Sequence, residues 1–331
     1  TIALRAYLDG SVFDDGLPNG TLSTSWSQVS GSGTVSFANA NAQDTTATFS
    51  TPGTYTLRLS ASDGALTSND QITVRVLDPQ STLFVSPQDS GTVGGVAFNN
   101  EDILAVDRNT GQWSMYFDGS DVGLSSFLLR GTNINSDGTL LLALNSAATL
   151  PNVGAVDAND VLRFVPSSLG NTTAGTFEMY LDGSDVGLDT SNERIDGIAI
   201  APDGRLIIST LGSVSAPGVS AADEDLIVFN ATSLGSNTAG SWSLYFDGSD
   251  VGLTDNSEDI DGVSIDSSGN IYLSTEGAYN VPGSAGTGAD IFRFTGSSLG
   301  SNTAGTYSPF WTATSAGFPS NVLIGGVNVV I

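Results

Sequence analysis

The 331-residue chain contains no cysteine, no histidine and no lysine, and its nine basic side chains are all arginine. These absences exclude the usual zinc ligands, a cysteine nucleophile and a serine–histidine triad. Carboxylates, hydroxyls and tyrosine are left for any chemistry. No run approaches the roughly 18 to 20 apolar residues that a membrane helix needs, so we expect no membrane insertion.

The chain is strongly acidic, with 35 Asp and Glu and a formal charge of −26. Such a charge repels nucleic acids and anionic membranes, which predicts no nucleic-acid partner. Only six of the acids are Glu, which indicates Asp in turns, although a halophilic surface is the alternative interpretation. The Gly, Ser, Thr, Asn and Asp content, without helical periodicity, is typical of an extracellular or surface-displayed bacterial all-β protein. Since no signal peptide opens the chain, we expect a mature fragment or excised piece.

Residues 1–77 alternate short strand-like runs with Gly, Pro, Asn and Asp turns. The stretches "SWSQVSGSGTVSF" and "FSTPGTYTLRLSASDG" resemble the PKD and related Ig-like domains of bacterial surface proteins. The resemblance implies a β-sandwich spacer with Trp26 in its core and Tyr55 at the tyrosine-corner position. Three acids are expected to cap turns, with a calcium site as the alternative: Asp14, Asp15 and Asp63.

After a linker at 78–81, residues 82–331 repeat with a period of about 64 residues, marked by Tyr116, Tyr180 and Tyr245. Each unit holds four strand-like runs, which indicates a propeller blade. The stretches "IDGVSIDSSGNIYLST" and "DIFRFT" resemble the NHL-type propellers. This resemblance implies that the first strand of each unit is innermost and the fourth outermost.

The ends of the repeat region complement each other. Its beginning offers only three strands of a blade, whereas the final "VLIGGVNVVI" matches an innermost strand. The predicted fold is therefore all-β: an Ig-like sandwich over 1–77 and a four-bladed propeller over 82–331 that is closed by the C-terminal strand.

The motif "YFDGSDVGL" occurs at 116–124 and 245–253, with "YLDGSDVGL" at 180–188. We interpret it chiefly as the turn that follows each outer strand, where Asp caps and Gly adopts positive φ; three similar binding sites are the alternative. The acid-rich connections are expected on one face of the propeller. The nearly neutral "SLGNTTAG" and "SLGSNTAG" loops are expected on the opposite face.

Many oxygen ligands without nitrogen or sulfur suit Ca²⁺, although a solvated acidic rim is the alternative. We predict one to three calcium ions and none at the connection with Thr312 and Ser315 in place of Asp. The candidate ligands are Asp185, Asp189, Glu193, Asp223, Asp225, Asp250, Asp255, Glu258 and Asp290.

The aligned starts of the inner strands place Arg130, Asp196, Asp261 and Gly325 near the propeller axis. The first three are predicted either to seal the channel mouth or to form a polar binding funnel there. Asp196 and Asp261 could also supply the two carboxylates of a glycosidase. However, the acids recur from blade to blade, whereas an active site normally breaks the symmetry of its fold.

The sequence thus favours a non-enzymatic extracellular module whose propeller serves adhesion, carbohydrate binding or surface assembly. Its expected partners are a glycan, a surface protein or further copies of itself. The alternatives are a subunit of a surface filament or layer, and a polysaccharide-degrading enzyme that uses the propeller carboxylates.

Overall fold

The computed structural model describes residues 4–17 and 20–329, and all of its extended elements are β-strands. The predicted all-β class is confirmed. In this part of the chain the helical segments are single 3₁₀ turns: Ser120–Val122, Ser184–Val186, Ser191–Glu193, Ser249–Val251 and Thr314–Ala316. No helix there has the length and apolar character to cross a membrane.

The N-terminal domain is a sandwich of two three-stranded sheets. Its strands are β1 (Arg5–Leu8), β2 (Ser23–Gly31), β3 (Val35–Phe37), β4 (Thr45–Phe49), β5 (Gly53–Ser62) and β6 (Thr67–Val76). One sheet has the order β1-β4-β3 and the other β2-β5-β6. Trp26, Phe49, Tyr55 and Leu57 are buried between them. The Tyr55 hydroxyl donates to the carbonyl of Thr51 at 2.7 Å, which is the bond expected at a tyrosine corner.

The remaining strands form four large sheets and four short hairpins. In chain order they are β7 (Thr82–Pro87), β8 (Gly91–Val93), β9 (Val96–Phe98), β10 (Ile103–Asp107), β11 (Gln112–Phe117), β12 (Leu129–Ile134), β13 (Leu140–Leu144), β14 (Ala148–Leu150), β15 (Gly154–Val156), β16 (Val161–Ser168), β17 (Ala174–Leu181), β18 (Ile195–Ile200), β19 (Leu206–Thr210), β20 (Val214–Ala216), β21 (Val219–Ala221), β22 (Leu226–Ser233), β23 (Ala239–Phe246), β24 (Ile260–Ile265), β25 (Ile271–Thr275), β26 (Tyr279–Val281), β27 (Ser284–Gly286), β28 (Ile291–Ser298), β29 (Ala304–Trp311) and β30 (Ile324–Val329).

Each large sheet has four antiparallel strands, and we call these sheets blades 1 to 4. Blade 1 has the order β30-β7-β10-β11, blade 2 β12-β13-β16-β17, blade 3 β18-β19-β22-β23 and blade 4 β24-β25-β28-β29. A short hairpin, such as β14-β15 in blade 2, lies between the second and third strands of each blade. Apolar clusters fill the spaces between neighbouring blades.

Glycines allow the innermost strands to approach one another around the axis. A Cβ on Gly262 of blade 4, for example, would lie 3.0 Å from a methyl group of Val327 in β30. The same close approach recurs around the ring, where the glycine and the neighbour that it faces are Gly131 and Ile198, Gly197 and Val263, and Gly326 and Thr132. The contacts run from blade 2 through blades 3, 4 and 1 back to blade 2, so the inner strands form a continuous ring.

The last strand of the chain lies in the same sheet as the first strand of the ring. β30 pairs with β7, with Val327 opposite Val85. Val327 and Val329 are buried, while Ile331, which we expected to alternate with them, lies outside the described residues. We interpret the ring as a four-bladed propeller with this strand as its closure.

The sandwich contacts the end of the ring that is opposite to the starts of the inner strands. Arg5 donates to the carbonyl of Asp137 at 3.2 Å, and Arg75 pairs with Asp107 at 3.4 Å. Both acceptors lie in hairpin turns at that end. An apolar cavity of 330 Å³ remains between the two domains. β6 ends at Val76 and β7 begins at Thr82, on either side of the predicted linker.

Candidate functional site

The repeated Asp-Gly-Ser-Asp motif connects neighbouring blades. In the first copy, a carboxylate oxygen of Asp121 in blade 1 accepts from the backbone N–H of Thr173 in blade 2, at 2.8 Å. The Thr173 hydroxyl in turn accepts from the N–H of Asp118 at 3.0 Å, and Gly170 donates to the carbonyl of Tyr116 at 2.9 Å. We call this set of bonds the blade staple.

The staple recurs at the next two junctions with the same geometry. Asp185 accepts from Thr238 and Asp250 from Thr303, both at 2.9 Å. Three copies of the motif thus serve three junctions, which favours the structural interpretation of the repeat. The expected separation of acidic and neutral loops onto opposite faces is wrong at these places. The reason is that each outer hairpin extends to the outer strand of the preceding blade.

The glycine of the motif has a steric reason at the first junction. The N–H of Gly119 donates to Asp102 at 3.0 Å, and a Cβ at this position would collide with the carbonyl oxygen of Glu101. Asp102 is buried, and its second oxygen accepts from the N–H of Asn99 at 2.8 Å. Burial raises the pKa of Asp102 to about 6 although both backbone bonds oppose this. Asp160, Asp225 and Asp290 accept equivalent bonds on both oxygens.

The fourth junction, between blades 4 and 1, is aromatic. Thr312 and Ser315 stand where the other copies have aspartates, as the sequence indicated. Here Trp113 donates from its indole N–H to the carbonyl of Ala316 at 3.0 Å and stacks on Phe318 at 5.6 Å between ring centroids. Trp311 packs edge-on against both rings.

The nine candidate calcium ligands are mostly occupied by backbone N–H groups. Asp185 and Asp250 belong to staples, and Asp225 and Asp290 accept the bonds described above. Glu193 closes a capping box on Thr190 and also accepts from the N–H of Ser215 at 3.2 Å. Although burial acts against them, these backbone donors hold the pKa of Glu193 below its usual value.

Glu258 has the same role in the next repeat, where it accepts from Thr254, Asp255 and Asn280. Asp189 and Asp255 each donate a backbone N–H to the neighbouring glutamate, and Asp223 accepts from Ile260 through its carbonyl oxygen. Over 4–17 and 20–329, no group of three or more acidic side chains is arranged to hold a metal ion. Calcium binding stays a prediction without a formed ligand set to support it.

The three residues predicted at the channel mouth do lie together at one end of the axis. Arg130 is 3.8 Å from a carboxylate oxygen of Asp261, and the other carboxylate, Asp196, accepts from the hydroxyl of Ser209 at 2.6 Å. Both aspartates are 1% exposed. The position of the fourth blade is Gly325, and the side chain of Gln88 occupies the space beside it. Gln88 also donates to Asp261.

Asp259, two residues before Asp261, completes this group. Burial and the nearby charges of Asp196, Asp223, Asp261 and Glu276 raise its pKa to about 10. We call Gln88, Arg130, Asp196, Asp259 and Asp261 the axial cluster.

The carboxyl groups of the axial cluster hold protons more tightly than ordinary aspartates. Burial raises the pKa of Asp261 to about 7, against the opposing charge of Arg130. Burial and the charge of Asp261 raise the pKa of Asp196 well above its usual value. Chemically, the cluster can retain protons near neutral pH or accept hydrogen bonds from a cationic or hydroxyl-bearing ligand.

Sequence reasoning missed Gln88 and Asp259. Gln88 follows β7 in the one blade whose axial position is a glycine, so the empty space was the available signal. Asp259 precedes β24 in "EDIDG", but its contacts depend on the turn at 223 in the preceding blade, and the spacing of the sequence does not show them.

Residues 1–76 match a family described as a PKD domain. The PKD part of the resemblance is confirmed, for the sandwich. Two solved structures from Bacteroides thetaiotaomicron are similar to this chain at low scores. One is a quinonprotein alcohol dehydrogenase-like protein, with 9% identity, 98% of this chain and 95% of that chain covered, and a TM-score of 0.25. The other is a structural genomics protein of unknown function, with 10% identity, 83% and 76% covered, and a TM-score of 0.31.

Proposed function

We propose that this chain is a non-enzymatic module that acts outside the bacterial cell or on its surface. The sandwich serves as a spacer, and the ring serves adhesion, glycan binding or surface assembly. The observation that carries this proposal is the use of the repeated carboxylates. Each staple aspartate accepts a backbone N–H of the next blade, so these acids maintain the ring and have no role in chemistry.

The position of the sandwich supports a binding role for the acidic end of the ring. Arg5 and Arg75 attach the sandwich at hairpin turns of the opposite end, which leaves the axial cluster unobstructed by it. A partner that recognises this end is a glycan or a surface protein, and the charge of −26 favours one with hydrogen-bond donors or positive charge. The PKD match agrees with this setting, because PKD domains occur in extracellular bacterial proteins.

One observation favours a polysaccharide-degrading enzyme as the second candidate. Asp261, with its pKa raised to about 7, lies in one cluster with Asp196, and an acid with such a pKa suits general acid catalysis. Against this, both carboxyl groups are 1% exposed, whereas an attacking water and a sugar ring need access.

A glycan array combined with a reducing-sugar release assay on the hits separates the two functions. Binding without sugar release is expected from the proposed module. Sugar release that is lost in Asp261→Asn would replace it with the enzyme. Analytical ultracentrifugation of the same sample tests the alternative of a self-assembling filament or layer subunit, which requires large assemblies.

A further inference from the structure

The axial cluster carries more negative charge than its own partners balance. Asp196, Asp259 and Asp261 are 1%, 4% and 1% exposed. Arg130 pairs with Asp261 at 3.8 Å, which is longer than a hydrogen bond. The chain has no lysine and no histidine from which a second, compact cation could come.

Two carboxylate oxygens of the cluster are buried without a hydrogen-bond donor from the residues that the structure describes, namely Oδ2 of Asp196 and Oδ1 of Asp259. Other buried aspartates of the ring differ in this respect. Asp102, for example, receives a backbone N–H on each oxygen. Because buried polar atoms are normally paired, two orphaned oxygens in one acidic cluster indicate that a donor is supplied from outside the chain.

The geometry favours an organic cation over a metal ion. Within the described ranges no three acids are placed to hold a metal, and calcium needs six to eight oxygens at about 2.3 to 2.6 Å. A primary ammonium group needs only two or three acceptors, at about 2.7 to 2.9 Å. It is also more compact than a guanidinium group, so it can pass the partly buried side chains of Gln88 and Arg130.

We propose that the axial cluster binds a primary ammonium group, which donates hydrogen bonds to Asp196 and Asp259. The source is either a lysine side chain of a partner or a free aliphatic amine. This inference rests on the proposed function, because it assigns a ligand chemistry to the acidic end of the ring. The carboxyl groups exchange their protons for the ammonium ion, so binding releases protons and strengthens as the pH rises from 6 to 8.5. The charged groups that face this exchange are Arg130, Asp223 and Glu276, together with the three aspartates.

The test is isothermal titration calorimetry of the full chain at pH 8 in 150 mM NaCl. The probes are n-butylammonium, for a free amine, and Nα-acetyl-lysine methylamide, for a lysine side chain. Tetramethylammonium, which has the same charge but no N–H, and methyl glucoside, which is neutral, serve as controls. We expect saturable 1:1 binding of at least one amine, with proton release in buffers of different ionisation enthalpy. Binding of tetramethylammonium should be at least tenfold weaker.

The variants Asp196→Asn and Asp259→Asn should each weaken amine binding at least tenfold. Both substitutions remove buried charge and keep the shape of the side chain, so folding should persist. Asp203→Asn is the matched control, since Asp203 is exposed in the turn after β18 and pairs with Arg205. It should bind like the wild type. If both amines bind, the source is a side chain or a free amine; if only n-butylammonium binds, it is a free amine.

Absence of saturable amine binding would overturn the inference, as would equal binding of tetramethylammonium or unchanged binding in both cluster variants. Binding of methyl glucoside that the same two variants abolish would replace the amine with a hydroxyl ligand. The proposed function is judged separately, because glycan binding on the array can persist when amine binding fails. Sugar release would refute the non-enzymatic module and leave the calorimetric result unaffected.

Discussion

Deletion of residues 321–331 should open the ring, because it removes β30 from blade 1. Ile324, Val327 and Val329 are 0%, 0% and 5% exposed. At about 1.5 to 3 kcal/mol for each buried side chain, their loss costs about 5 to 9 kcal/mol. A domain has a total stability of about 5 to 15 kcal/mol, so the ring should be largely unfolded or molten at 37 °C.

Urea denaturation followed by tryptophan fluorescence measures this effect. Three tryptophans, Trp113, Trp242 and Trp311, lie in the ring, and Trp26 reports on the sandwich. The sandwich transition serves as an internal reference that the deletion should not move. Val327→Ala should destabilise the ring by about 2 to 4 kcal/mol, whereas Val29→Ala, at a residue that is 44% exposed, should have little effect. An unchanged ring transition in the deletion variant would show that closure by β30 is wrong.

Four further outcomes are expected. Arg130→Met should destabilise the ring by somewhat less than the about 3 to 5 kcal/mol of a fully buried ion pair, since its separation from Asp261 is 3.8 Å. Arg205→Met, at an exposed pair, should cost about 0 to 1 kcal/mol, and equal midpoints of thermal unfolding for the two variants would contradict the geometry of the cluster. Asp185→Ala should cost about 1 to 3 kcal/mol by chemical denaturation, because the N–H of Thr238 loses its acceptor. The stability contributed by Asp261 is present at acid pH and is lost as the pH rises through about 7, since its folded pKa is raised; denaturation between pH 5 and 9 should show this fall, and Asp261→Asn should flatten it. Calorimetry in EDTA and in millimolar Ca²⁺, at fixed ionic strength with Mg²⁺ as control, should give the same midpoints if the acids only cap turns, whereas a rise specific to Ca²⁺ would establish the predicted ions.

The strand content of the ring could be read from the sequence because strand and turn signals are local and recur every 64 residues or so. The tyrosine corner at Tyr55 was accessible for the same reason, since its acceptor lies only four residues away. The grouping of Arg130, Asp196 and Asp261 followed from aligning equivalent strands.

The partners of individual carboxylates were not accessible in this way. Asp121 and Thr173 are 52 residues apart and meet only because an outer hairpin extends beyond its own blade. Glu193 resembles a metal ligand by residue type, yet its oxygens are satisfied by N–H groups whose direction depends on a single 3₁₀ turn. Residue type and spacing can place an acid on a surface, but they do not show which donors the backbone offers to it.

The pairing of β7 with β30 determines how the ring responds to mechanical load. The two strands are antiparallel, and the start of one lies beside the end of the other, with Leu83 opposite Val329. A force applied through the two ends of the ring therefore acts on neighbouring points of one sheet. It separates the strands in unzipping geometry, one pair of hydrogen bonds after another, and does not load all of them at once in shear. The ring should consequently open at low force from this seam, while the three stapled junctions carry little of the tension.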